Sequence, residues 1–144
     1  MQQTVNSSRF GEFEVPGEAV IEFPAGLIGI GGRRFALLTR EESGAFKWLQ
    51  EVEDAELAVP VTDPFAFFPD YEVRISDAEA ARIGIADAAD ADVLAIVRAA
   101  ERLEDFCANL LAPILVSGGV GHQVINEAPE APVRAPLLAE MVKG

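Results

Sequence analysis

Asp63-Pro64-Phe65-Ala66-Phe67-Phe68-Pro69-Asp70-Tyr71-Glu72-Val73-Arg74-Ile75-Ser76 is the stretch from which the rest of the chain can be read. Three phenylalanines and the only tyrosine fall within seven residues of it, between two prolines and two aspartates. Proline fixes φ and donates no backbone N–H, so Pro64 and Pro69 keep residues 65–68 out of any long helix or regular ladder. A rigid aromatic loop is expected. After it, Tyr71, Val73 and Ile75 alternate with Glu72, Arg74 and Ser76, the period-two pattern of a half-buried strand. Most of these rings are expected to plug one end of a β core. Their area exceeds what one loop easily buries, so at least one of Phe65, Phe67 and Phe68 is expected to stay exposed as an anchor for a partner, with Tyr71 mostly buried.

Downstream, Ser76-Asp77-Ala78-Glu79 is a capping box that opens a short helix over residues 77–83, and Gly84 is a natural C′ residue. Residues 86–92 add a possible helical turn carrying Asp87, Asp90 and Asp92. Apolar runs at residues 93–97 and 110–117 have strand length, the second interrupted by Pro113. Gly118-Gly119-Val120-Gly121 forms a turn, and residues 122–126 close the series. Upstream, residues 1–9 are polar and expected to fray, and short strands follow over residues 10–15, 19–23, 34–39 and 46–50. Pro60 interrupts the alternation of Leu57, Val59 and Val61, which argues for an edge or a bulge there. The pattern predicts a mainly β fold: a small single-domain barrel or sandwich of about nine short strands with one helical insertion. Residues 1–126 form this domain. Pro129, Pro132 and Pro136 punctuate residues 127–144, an expected mobile tail that ends in the apolar Leu137, Leu138 and Met141.

The chain has 144 residues and a net charge of −13, from 24 acidic and 11 basic side chains. Such acidity repels phosphate backbones, argues against direct nucleic-acid binding, and favours a basic protein partner. A single cysteine excludes an internal disulfide. No apolar run approaches the roughly 20 residues of a membrane span, and the N-terminus lacks the pattern of a signal peptide, so a cytoplasmic location away from membranes is expected.

Catalytic chemistry finds little support. Gly29-x-Gly31 is followed by Arg34, which breaks a dinucleotide fingerprint, and residues 118–121 lack the Lys-Ser/Thr of a phosphate loop. The glycines are read as turn and bulge residues. Cys107 and His122 are each the only residue of their type. Phe106-Cys107-Ala108 reads as a buried hydrophobe and His122 as a locally hydrogen-bonded side chain rather than as a dyad. The acidic turn Glu51, Glu53, Asp54, Glu56 lacks the periodicity and glycine of a calcium loop. Asp63, Asp70 and Asp77 suit turns and caps better than acid–base work. No cofactor and no metal are expected.

Phe23-Pro24-Ala25-Gly26-Leu27-Ile28-Gly29, Phe46-Lys47-Trp48-Leu49-Gln50, the aromatic stretch of residues 63–71, Ala108-Asn109-Leu110-Leu111-Ala112-Pro113-Ile114 and Gly121-His122-Gln123-Val124-Ile125 together resemble the family of the flagellar assembly factor FliW. Each block is weak alone, and their shared order over residues 9–126 is specific. The resemblance implies a β-barrel-like cytosolic protein without enzymatic activity. It implies binding to new flagellin and to CsrA, a dimeric RNA-binding repressor of flagellin translation. Export of flagellin would free the protein to capture CsrA allosterically. The chain departs from the family pattern at Cys107, where threonine is commoner, at Pro60 and at Glu51. The candidate partner-binding residues are Asp63, Phe65, Phe67, Phe68, Asp70 and Glu72 around the aromatic stretch, and Glu51, Glu53 and Glu56 on the acidic turn. The alternative is a small-molecule-binding or catalytic β-barrel of unknown substrate.

Overall fold

Short runs of β-branched and aromatic residues pair into strands throughout the computed structural model, which describes residues 2–8, 11–39, 46–85, 91–98, 106–128 and 135–136. The strands are β1 (Gln2–Ser7), β2 (Gly11–Pro16), β3 (Val20–Glu22), β4 (Arg34–Thr39), β5 (Phe46–Glu51), β6 (Ala58–Thr62), β7 (Asp92–Arg98), β8 (Cys107–Ala108), β9 (Ile114–Ser117), β10 (Val120–Gln123) and β11 (Ala135–Pro136). Two short helices, α1 (Pro64–Phe67) and α2 (Asp77–Ile83), stand between β6 and β7.

The hairpins β3–β4, β4–β5 and β5–β6 run antiparallel, and β10 joins β3 in parallel through Val120 opposite Glu22. β9 returns against β10. β7 then pairs with both β6 and β9, and a seven-stranded ring closes. Closure removes the open edges that a sheet this small would otherwise expose. Side chains fill the interior, as expected at this strand number. Ile21, Phe23, Leu27, Phe35, Leu49, Val61, Leu94 and Ile114 form that core. The Phe23 and Phe35 rings meet edge to face, 5.5 Å apart.

Outward-facing residues are covered in turn. Leu115 and Val124 lie beneath Ile83 and Ile85 at the end of α2. Ser76 caps that helix by accepting the Glu79 N–H at 3.1 Å, and Gly84 ends it at φ +73°. Ala36 is covered by Val5 and Val15 of the β1–β2 hairpin. β8 and β11 extend β7 beyond the ring.

Several expectations are corrected. Residues 2–7 are not frayed: they form β1 in full register with β2, and Val5 is completely buried. The polar composition hid this strand, because one apolar side chain suffices to pin it. Residues 65–67 are helical, for one turn only, because Asp63 caps the turn and Pro64 occupies the first position, where no N–H is needed. The segment 71–76 joins no ladder. Its side chains do alternate, with Val73 and Ile75 half-buried and Glu72 and Arg74 exposed. Its neighbour is the Asn126 side chain, which accepts the Arg74 N–H at 2.8 Å. Pro60 stands opposite Trp48, and the β6–β7 ladder covers only Val61 and Thr62, so Pro60 withholds its missing N–H from no partner on that side. Asp92 opens β7 rather than ending a helical turn, and Asp87 and Asp90 lie outside the described residues.

The ring is tight at Gly121. A Cβ added there would stand 2.6 Å from the Phe23 ring and 3.0 Å from Ile21. Gly121→Ala is therefore expected to cost about 2 kcal/mol by overpacking, read as a lower urea midpoint with an unchanged slope.

Candidate partner-binding site

The aromatic turn begins at Asp63, whose backbone is extended and whose side chain accepts the Phe65 N–H at 2.9 Å. In a helical turn, residues two apart point to nearly opposite sides. Phe65 accordingly faces solvent at 41 % exposure while Phe67 is buried at 8 %. Phe67 packs on Ala95 and Val97 of β7 and Leu110, and Phe68 is half-buried against the same cluster. The three phenylalanines thus divide between core and surface.

Phe65 is held from below. Its ring lies 5.6 Å from that of Tyr71, tilted by 48°. The Tyr71 hydroxyl donates to the Leu110 carbonyl at 2.7 Å and accepts from Asn126 Nδ2 at 3.2 Å. Asn126 is 3 % exposed. Its amide also donates to the Glu72 carbonyl at 2.8 Å, and its oxygen accepts the N–H groups of Arg74 and Ala128. A buried amide satisfied this fully rigidifies what it joins, here the segment after the aromatic turn and the chain leaving the barrel. Sequence reasoning missed Asn126, whose only signal is a lone amide after an apolar run.

The acidic candidates differ sharply from one another. Asp70 and Glu72 are exposed, and Glu72 pairs with Arg74 at 2.7 Å. Glu51 is only 6 % exposed. Its two carboxylate oxygens accept the Arg33 N–H at 2.8 Å and the Glu53 N–H at 2.9 Å. Glu53 is open to solvent, 3.5 Å from Arg34, and Glu56 is exposed beside it. Gln50, fully buried, sends its amide toward the Asp54 and Leu57 carbonyls at 3.0 and 3.2 Å and holds this turn closed. β6 separates the two groups. The acidic turn precedes its first residue and the aromatic turn follows its last, a span of about 15 Å at strand rise. The candidates therefore form two clusters at opposite ends of the barrel.

At the aromatic end, Asp63 and Phe65 border a cavity of about 400 Å³ that also reaches Lys47 and Asp92. At the side of the barrel, His122 lines a smaller hollow of about 240 Å³ with Gly84 and Ser117. Its Nδ1 is buried without a hydrogen-bond partner. Burial, then the Arg82 guanidinium, holds its pKa below the ordinary value, against the opposing pull of Glu79. Cys107, half-buried on β8, and His122 on β10 sit on strands that do not pair. Among the described residues no group of three His, Cys, Asp or Glu side chains is placed to hold a metal ion, and no helix is long and apolar enough to cross a membrane.

Burial pushes the Tyr71 hydroxyl up to about 12, against the smaller opposing effect of the Asn126 hydrogen bond. A raised phenol contributes stability that is complete below the unfolded pKa, about 10, and is lost as pH climbs through the folded one. The phenolate absorbance of the only tyrosine is expected to rise near pH 12 in folded protein, with stability falling between pH 10 and 12. Ionisation near pH 10 in folded protein would contradict the buried hydroxyl.

The family model described as FliW protein matches residues 4–137. A flagellar assembly factor FliW of Desulfitobacterium hafniense (strain Y51) is 34 % identical over 139 residues, covering 94 % of this chain and 91 % of its own. That of Heliobacterium modesticaldum (strain ATCC 51547 / Ice1) is 37 % identical over 126 residues, covering 85 % and 82 %. A solved structure, described as the crystal structure of the flagellar assembly factor FliW, superposes with a TM-score of 0.81 at 27 % identity, covering 93 % of this chain and 96 % of that one.

Proposed function

The chain belongs to the FliW family of flagellar assembly factors, and on that premise we propose that it is a non-enzymatic cytoplasmic protein that binds flagellin and CsrA. In this reading it is held by flagellin until flagellin is exported, and then captures CsrA and relieves repression of flagellin translation. Phe65 carries the reading: a large apolar ring kept at the surface by a capped, proline-led turn and supported by the half-buried Tyr71 on the buried Asn126 amide. Presenting a ring in this way loses little conformational entropy on binding, which favours a hot spot. Asp63 caps its turn, and the exposed Asp70 and Glu72 follow in the same stretch with further negative charge. Glu53 and Glu56 supply a second acidic face for a basic partner such as CsrA, with Glu51 fixing the backbone between them and β5.

The experiment measures affinity for purified flagellin and purified CsrA beside melting temperature. Phe65→Ala is expected to weaken one partner by about 2 kcal/mol with its melting temperature nearly unchanged. Phe67→Ala is expected to cost about 3–5 kcal/mol of stability instead, because its ring fills the cluster on β7. A wild-type chain that binds neither partner would end this reading.

Steering by the acidic faces gives a separate outcome. Association with CsrA should slow as ionic strength rises, and Glu53→Gln with Glu56→Gln should flatten that dependence. Stopped-flow rates indifferent to salt would remove steering.

A further inference from the structure

Among the described residues, the ring of strands is open at the end beside Phe65. There β4 finishes, β5 and β7 begin, and the cavity of about 400 Å³ descends between them. Its floor is aliphatic, made by Ile21, Leu37, Leu94 and Val116. Its rim is charged, with Lys47 on β5 and Asp92 on β7 to either side of β6, and Asp63 and the Phe65 ring at the end of β6. The volume falls within the range of about 300–1,000 Å³ usual for ligand sites.

Floor and rim ask for different things from one occupant. The floor takes a branched aliphatic group and offers it no hydrogen bond. Among the described residues the rim sets two carboxylates against one ammonium, and one Asp63 oxygen is already occupied by the Phe65 N–H. The Phe65 ring adds an aromatic face beside these carboxylates, a combination that attracts a cation. Lys47 repels a second cation, so a polybasic run is disfavoured. The exposed ring is covered only by an occupant that extends past the mouth. We propose that this barrel mouth seats an aliphatic side chain of a protein partner whose neighbouring residue is a lysine or arginine. The proposal rests on the partner-binding reading above for the existence of that protein, and adds the pocket and the residue chemistry it selects.

The test uses the intact chain and short probes, so it does not depend on either partner. Methyl resonances of Leu37, Leu94 and Val116 and the Phe65 ring are followed during titration with N-acetyl-leucyl-lysine amide. Saturable shifts confined to these residues are expected. N-acetyl-leucyl-glutamate amide should bind about fivefold more weakly for want of the charge match, and N-acetyl-alanyl-lysine amide about tenfold more weakly for want of apolar contact. Val116→Phe, which fills the floor, should abolish the shifts. Asp92→Asn, at an exposed position, should weaken the lysine probe and strengthen the glutamate probe, because it removes one rim carboxylate.

No shifts at these residues, or equal binding of the lysine and glutamate probes, would overturn the proposal. Isoamylamine binding as tightly as the leucyl-lysine probe would show a site for a free amine and overturn it equally. Failure of flagellin and CsrA to bind wild-type protein would overturn the partner assignment while leaving the peptide result standing. Absent peptide shifts beside intact partner binding would overturn the cavity alone.

Discussion

Everything in the fold depends on β7 serving several neighbours at once. Asp92, Val93 and Leu94 pair with β9, Val61 and Thr62 of β6 pair with its middle, and Val97 and Arg98 pair with β8. The first of these pairings closes the ring and the last begins the sheet outside it. Between β8 and β9 the chain must leave the ladder, and Asn109 manages the departure. Its N–H donates to the Ile96 carbonyl at 2.9 Å, while its side-chain oxygen accepts from Leu111 and Ala112. Without that closure, the core around Phe23 and Phe35 would lie under an open sheet.

Where ladders stop, buried amides take their place. Gln123 accepts the Ile28 N–H at 2.7 Å and donates to the Ala112 carbonyl at 2.9 Å, so the glycine-rich connection after β3 is tied to the far end of β10. Gln50 closes the acidic turn and Asn126 joins the aromatic segment to the exit of the chain. Gln123 and Asn126, satisfied on both sides, each fix one geometry, whereas Gln50 acts through its amide N–H groups alone and its Oε1 is buried without a partner. These residues therefore set the positions of both candidate clusters without belonging to either.

Local signals in the sequence were reliable where a single residue decides the outcome. Ser76, Glu79 and Gly84 specify α2 by themselves, and Pro64 and Asp63 announce a constrained turn. The family resemblance and the barrel class were also legible, since aliphatic alternation and glycine turns recur along the chain. Failures came where a distant partner decides. Tyr71, Val73 and Ile75 alternate as a strand would, yet their neighbour offers an amide side chain in place of a ladder. Glu51 looked like one more surface acid, and only the fold brings the Arg33 and Glu53 N–H groups onto its carboxylate. The mouth cavity joins Lys47, Asp63 and Asp92 from three separate parts of the chain, so no local pattern could announce it.

The parallel pairing of β10 with β3 has a consequence for how the molecule comes into being. Glu22 meets Val120, and the Ile28 N–H reaches a side chain 95 residues further on. Contacts of such separation are formed late, because a long loop must be closed before they repay its entropy. During synthesis, the early hairpins β3–β4–β5–β6 can form as they emerge, but the interior stays unsealed until nearly the last strand has left the ribosome. A nascent chain of this protein is thus an open sheet for most of its translation, and the barrel is completed in one late step.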